Sequence, residues 1–338
     1  MKKVIALLLV VGTLVFYNSK IANTLYTLKN EIFNKNNTGE IVLVQNVNGT
    51  KSENDNIETT IGNFRNIKIG DKLDTVMEYI GSPSRIDESE YNFKWYVYNQ
   101  YREKFVMVGI KDDIVVGLYS NSIDSCENGD IKLNKDRNFV RENYSPLEYR
   151  LKGNTKYIIN SENQYDVINE NKNYITVFYD IYEESRICSY QIIDEKVESQ
   201  LDGMYAKDSE KLRESFELQV IDLANSIRIQ KGLEPFKESE KAKVSSRKHS
   251  QDMIDKEFFD HVNKENKSPF DRMKKEGIVY QSAGENIAAG QVSAIYAHEA
   301  WMNSKGHRKN ILGDYKYIGV GVKFGGYYTI YYTQNFYT

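Results

Sequence analysis

The sequence predicts an α+β protein of two folded domains behind an N-terminal targeting segment. Three observations carry this reading. Short β-rich runs follow a helical stretch from about residue 69 onward. A Ser-Pro step followed by strands recurs at residues 82–83 and 145–146. The last third then changes to longer amphipathic helices closed by two strands. A chain of 338 residues is long enough for two ordinary domains.

At the N-terminus, Lys2 and Lys3 precede an apolar run from Val4 to Tyr17. As a helix that run spans about 21 Å, against roughly 30 Å of hydrocarbon. Its length favours a signal peptide over a stable span. The flank Asn18-Ser19-Lys20-Ile21-Ala22 has no small-x-small cleavage pattern, so an uncleaved signal anchor stays open. Either way, the basic start places the rest of the chain outside the cytoplasm, secreted or anchored to the membrane. No Cys follows the run, so a lipoprotein anchor is not indicated. Residues 1–20 are therefore read as a signal peptide or anchor and 21–62 as a polar linker. Ile41 to Val44 is the one apolar interruption in that linker.

Residues 63–200 form the first domain. Leu73, Val76, Met77 and Ile80 have helical spacing, and Gly81-Ser82-Pro83 stops the helix. Tyr91 to Tyr98, Phe105 to Ile110 and Ile114 to Tyr119 read as strands, with Asp112-Asp113 as a hairpin turn. The order recurs after Tyr144-Ser145-Pro146, where Tyr174 to Tyr179 and Ile187 to Ile193 match the Phe105 and Ile114 strands. The expectation is a degenerate internal repeat, each copy a helix followed by a small antiparallel sheet.

Residues 210–338 form the second domain. Phe216, Val220, Leu223, Ala224 and Ile227 make an amphipathic helix that Gly232 ends. Helices follow from about Glu238 to Lys256, from Ser268-Pro269, and from Ser293 to Met302. Tyr317 to Phe324 and Tyr327 to Phe336 are strands joined through Gly325-Gly326.

Net charge is −3 with acids and bases mixed, and no concentrated cationic face exists to neutralise phosphates, so nucleic-acid binding is not expected. The two cysteines, Cys126 and Cys188, permit a disulfide or two free thiols. All four histidines (His249, His261, His298 and His307) lie in the second domain, which concentrates metal or acid–base chemistry there. His298-Glu299 begins like a zincin helix, but Met302 stands where the second ligand would be, so that reading fails.

Ordered motifs then identify a family. They are Asn225-Ser226-Ile227-Arg228, His249-Ser250-Gln251-Asp252-Met253, Phe258-Phe259-Asp260-His261, Gly284-Glu285-Asn286-Ile287, Trp301 through Leu312 with Gly306-His307-Arg308, Ile318-Gly319-Val320-Gly321 and Tyr331-Tyr332-Thr333-Gln334-Asn335-Phe336. From about Leu212 to Thr338 the chain resembles the bacterial branch of the CAP superfamily (SCP/PR-1-like domains). Upstream, Gly81-Ser82-Pro83, Tyr91, Trp95 and Val115 to Tyr119 resemble the CAP-associated N-terminal domain of Gram-positive bacteria. The resemblance implies an α-β-α sandwich for the second domain, with a cleft holding two His and two Glu.

By that resemblance His261 matches the first cleft His, Glu285 the Glu of the Gly-Glu-Asn motif and His307 the second His. Relatives outside bacteria carry the second Glu shortly after the Trp, where this chain has Asn303 and Ser304. Glu299, two residues before Trp301, is the alternative, because it shares a helix side with Ile295 and Met302. Gln334 is a further cleft candidate. His261, His307 and Glu285 would make a divalent-metal set with an open position, and Zn²⁺ suits such nitrogen–oxygen ligation. The rival account has Glu285 hydrogen-bonding an imidazole and pinning the loops without metal. Glu285 serves as general base only if it is not itself a ligand. No catalytic residue is assigned. His249 and His298 are read as packed histidines.

Three functions compete. The first is binding of an envelope ligand, lipid or protein partner. The second is a metal-dependent hydrolase acting on peptides or cell-envelope material. The third is a structural or interaction module, with partner binding through the strand edges of the first domain.

Overall fold

The computed structural model describes residues 64–100, 102–122, 131–133 and 135–338. The expected signal segment and the whole linker lie outside the described residues, as does Cys126, and with it the expected disulfide or free-thiol pair. No described helix is long and apolar enough to cross a membrane.

The first domain contains helix α1 (Leu73–Ile80), strands β1 (Arg85–Glu88), β2 (Lys94–Tyr98), β3 (Val106–Lys111) and β4 (Ile114–Ser120), helix α2 (Arg137–Asn143), a two-stranded hairpin β5 (Tyr149–Lys152) and β6 (Thr155–Ile158), strands β7 (Tyr165–Glu170), β8 (Asn173–Asp180) and β9 (Arg186–Asp194), and helix α3 (Glu195–Gln200). The repeat is present, but its two sheets are one. The order is β1-β2-β3-β4-β9-β8-β7, and the copies join through the antiparallel pair β4–β9, with Gly117 opposite Ile193. The residue before each repeat helix bridges the first residue of that copy's last strand, Lys72 to Ile114 and Asp136 to Arg186. Joining the copies this way leaves no edge on either β4 or β9.

Side chains alternate across this sheet. Val106 and Val108 pack with Val76 of α1 and Val140 of α2 on one face. Trp95, Val97, Met107 and Tyr119 face the other way, into a core shared with the second domain. The β3–β4 turn takes positive φ at both Asp112 (50°) and Asp113 (61°), as a two-residue hairpin turn requires.

The second domain contains α4 (Glu210–Gln230), β10 (Lys237–Glu238), α5 (Glu240–Asp255), α6 (Pro269–Lys275), β11 (Ala283–Ala289), α7 (Ala294–Met302), α8 (Lys305–Ile311), β12 (Tyr317–Phe324) and β13 (Ile330–Tyr337). Its sheet runs β10-β12-β13-β11, so β11 is an edge strand. Ser268 and Asp271 form a reciprocal capping box that starts α6.

Helix α5 lies directly on β12, and two glycines permit it. A Cβ on Gly319 would stand 2.1 Å from Lys243 N, and one on Gly321 2.1 Å from Arg247 N. In the gap, Ser246 Oγ donates to Gly319 O and Ser250 Oγ to Gly321 O, both at 2.9 Å. On the opposite face Ile318, Val320 and Val322 join Leu212, Phe216, Val220 and Trp301 in the shared core. The second domain is thus a helix–sheet–helix sandwich. Its α4 and α7 layer also covers the sheet of the first domain, which is why one apolar core runs through both.

Candidate functional site

The site is built on β11, where alternate residues serve opposite faces. Glu285 pairs across the ladder with Asn335, and Asn335 Nδ2 bonds Ser245 Oγ of α5 at 3.1 Å, so Glu285 faces the α5 side. Asn286 pairs with Gln334 and faces α8.

On the α5 side, the Glu285 carboxylate is buried and fully engaged. Arg272 Nη2 of α6 donates to Oε2 at 2.6 Å, and His261 Nδ1 lies 2.9 Å from Oε1. Arg272 Nη1 also donates to the His261 carbonyl at 2.8 Å, so one guanidinium holds both the carboxylate and the loop that bears the imidazole. His249, fully buried on α5, places Nε2 3.0 Å from the Asp260 carbonyl. A carbonyl only accepts, so Nε2 carries the proton. Burial pushes His249 down to about 4, so it is neutral and serves to hold the residue before His261.

On the α8 side, Asn286 Nδ2 donates to the His307 carbonyl at 3.2 Å and to Gln334 Oε1 at 3.0 Å. Asn310 Nδ2 donates to Asn286 Oδ1 at 2.8 Å and to the Glu285 carbonyl at 3.1 Å. These amides fasten α8 to the strand. Burial, and then the nearby His261 imidazole, lower the His307 pKa from its ordinary value. His261 and His307 therefore approach each other at the β11 edge from opposite layers of the sandwich.

The chemistry follows from which nitrogen is free. Glu285 accepts from His261 Nδ1–H, which fixes the tautomer and leaves Nε2 for a ligand. The His261 side chain is 45% exposed while Glu285 is 1% exposed, so the imidazole presents what the carboxylate orients. A carboxylate-oriented imidazole is a hydrogen-bond acceptor and a general base.

Of the expected cleft residues, the structure brings together His261, Glu285 and His307, with Gln334 one hydrogen bond behind them through Asn286. Glu299 does not belong to this group. It is buried at the seam between the domains, where Tyr119 OH (3.0 Å), Ser189 Oγ (2.5 Å) and Cys188 Sγ (3.3 Å) donate to it. The three-ligand metal set does not fit this arrangement either. Among the described residues no group of three His, Cys, Asp or Glu lies close enough to hold a metal ion. Glu285, the intended oxygen ligand, already faces a guanidinium and an imidazole.

The sequence reading missed Arg272, Asn286 and Asn310. Asn286 and Asn310 stood inside the motifs, but nothing marked them as a chain of amide contacts. Arg272 sits one turn into α6 among Lys274 and Lys275, and in sequence it looks like one more surface base.

Comparison with known proteins agrees on both domains. Residues 69–203 match the family model described as CAP-associated N-terminal, and residues 221–336 match the cysteine-rich secretory protein family, CAP. An uncharacterized membrane protein of Bacillus subtilis (strain 168), YlbC, is 30% identical over 292 residues, covering 79% of this chain and 82% of its own length. The uncharacterized protein YkwD of the same organism is 49% identical over 108 residues, covering 32% of this chain and 42% of its own. Among solved structures, an extracellular protein containing a SCP domain from Bacillus anthracis str. Ames superposes with TM-score 0.68 at 24% identity, covering 88% of this chain and 99% of that one. A cysteine-rich secretory protein from Staphylococcus aureus subsp. aureus Mu50 superposes with TM-score 0.63 at 15% identity, covering 80% and 91%.

Proposed function

Starting from the premise that this chain belongs to the bacterial CAP superfamily and carries its CAP-associated N-terminal domain, we propose that it is an extracytoplasmic binding protein. Its ligand would be a cell-envelope molecule held at His261 and His307. The extracellular SCP-domain protein and the membrane protein to which this chain is similar support that location. So does the basic, apolar N-terminus.

One observation carries the reading: Glu285 is neutralised by Arg272 while it orients His261. The cleft therefore offers an oriented imidazole at His261 without a net carboxylate charge. Such a site favours a ligand rich in hydrogen-bonding groups. A second reading, hydrolysis of envelope peptides, rests on the same Glu285–His261 pair acting as a metal-free base towards water.

The test follows the His261 and His307 ring protons by NMR in the purified protein. The probes are a peptidoglycan disaccharide-peptide, a glycerol-phosphate oligomer, phosphatidylglycerol vesicles and Zn²⁺ alone. A saturable shift with one envelope probe, lost in His261→Gln, is expected. No saturable shift with any of the three envelope probes, in a folded protein, overturns binding at this cleft. Cleavage of the disaccharide-peptide that disappears in His261→Gln would replace binding with hydrolysis.

A further inference from the structure

We infer that the first domain positions His307, through a clamp between the β8–β9 turn and the α7–α8 junction. The inference concerns where His307 stands, and holds whatever the cleft binds.

Helix α7 and its C-cap carry a polar stripe at positions 296, 299 and 303, spaced to share one face. All three side chains bond the first domain. The Tyr296 hydroxyl lies 3.1 Å from Arg150 Nη2 and 3.3 Å from Thr176 Oγ1. Glu299 accepts from Tyr119, Ser189 and Cys188. Asn303 closes the stripe with a two-bond amide clamp. Its Nδ2 donates to Tyr179 O at 2.7 Å, and its Oδ1 accepts from Ile181 N at 3.0 Å. A bulge between Phe178 and Tyr179 shifts the strand register at this point.

Four residues after Asn303 comes His307, on a short helix with little of its own to hold it. Helix α8 has seven residues, and its N-cap Ser304 makes no side-chain capping bond. Its orientation therefore depends on external anchors. Asn310 supplies one, from the β11 side. Asn286 adds a second there, on the His307 carbonyl, and Arg228 holds the far end of the helix through the Ile311 carbonyl at 2.8 Å. Arg308 supplies the anchor to the first domain. Its Nη2 pairs with Asp180 Oδ2 at 2.7 Å, its Nη1 donates to Met302 O at 3.2 Å, and its guanidinium lies 5.5 Å from the Tyr182 ring centre. Asn303 and Arg308 thus bracket His307, and both are held by the turn at residues 179–183. They are positioning residues: neither takes part in the Glu285 network, yet each fixes a neighbour of the imidazole.

The experiment compares clamp variants (Asn303→Ala, Asp180→Asn) with controls at the remote α4–β1 part of the same seam. The controls are Ser215→Ala, which removes the 2.9 Å bond from Glu88 N, and Arg85→Met, which removes the 2.6 Å pair with Asp222. Two readouts are taken in the full chain: the His307 ring-proton shift, and the rate at which diethyl pyrocarbonate modifies His307. Clamp variants are expected to move the His307 signal and raise its modification several-fold, leaving the His261 signal in place. Asp180→Glu should restore both. An unmoved His307 in Asp180→Asn, a near-isosteric change that keeps a side-chain oxygen for Tyr182 N and so folds even where Asn303→Ala does not, overturns the inference. Equal movement in the seam controls also overturns it, because the effect would then be general loosening.

Discussion

Two buried glutamates, Glu285 on β11 and Glu299 on α7, are surrounded in opposite ways. Counted as whole residues, backbone included, they are almost equally covered, at 7% and 5% exposure. Glu285 has a guanidinium at one oxygen and an imidazole at the other. Glu299 has only hydroxyl and thiol donors, with no cation among its hydrogen-bond partners. Burial raises its pKa, whereas in the cleft a fixed positive charge offsets the cost of burying the carboxylate. The difference separates a site from a seam. Glu285 is paired with a guanidinium and orients a ring facing solvent. Glu299 is held towards its acid form, packed between two domains that close over it.

The largest effect that could break this comparison is removal of Arg272. Arg272→Ala leaves the Glu285 carboxylate buried beside a half-exposed imidazole. Breaking a buried pair by deleting one partner costs about 3–5 kcal/mol. Urea unfolding should show a loss of that order, and the double variant Arg272→Met with Glu285→Gln should recover much of it. A loss below about 1 kcal/mol, the range of exposed pairs, would mean that Arg272 is no counter-ion and that Glu285 differs little from Glu299.

The seam carboxyl predicts a smaller effect that depends on pH. Its folded pKa is raised by burial above the unfolded value, so the folded state binds the proton more tightly. The associated stability is fully present below the unfolded pKa and is lost as pH rises through the folded one. Glu299→Gln, which keeps a neutral hydrogen-bonding head, should therefore be more stable than the parent at neutral pH. The gain is on the order of 1 kcal/mol, the scale of one buried hydrogen bond. At pH 4 and below the advantage should vanish. Melting curves at several pH values check this, and a gap that does not change with pH would show that Glu299 is ionised in the fold.

Much of this was legible in the sequence, for reasons that also mark the limit. Helix α4, the Ser268-Pro269 start of α6 and the Asp112-Asp113 turn are local, so spacing and turn chemistry reveal them. The repeat was visible as an order of elements. Fusion of its copies into one sheet was not, because the β4–β9 pairing joins residues as distant as Gly117 and Ile193. His261, Glu285 and His307 emerged from motifs spread along the second domain. Glu299 shows where pattern fails. Its spacing with Ile295 and Met302 left an inward and a surface position equally open, and helical periodicity does not say what would cover a buried side chain. Here the cover is Tyr119 and Ser189 of the other domain. Arg272 was missed for the converse reason, since only the fold reveals that this base points inward while Lys274 beside it is exposed.

The smallest expected effect on stability falls on the residue read as most functional. His261 donates one hydrogen bond to Glu285 from a side chain 45% exposed, and Arg272 remains to neutralise the carboxylate in its absence. Solvent screens the contribution of such a half-exposed pair, so His261→Gln should cost below about 1 kcal/mol. Stability measured by urea, set beside the ring-proton response of His307 to the envelope probes, separates two cases. Near-parental stability with loss of the probe response places His261 at the working face of the cleft. A cost comparable with that of Arg272→Ala would place it inside the structural network instead. The cleft would then have its free imidazole on α8 alone, at the residue bracketed by Asn303 and Arg308.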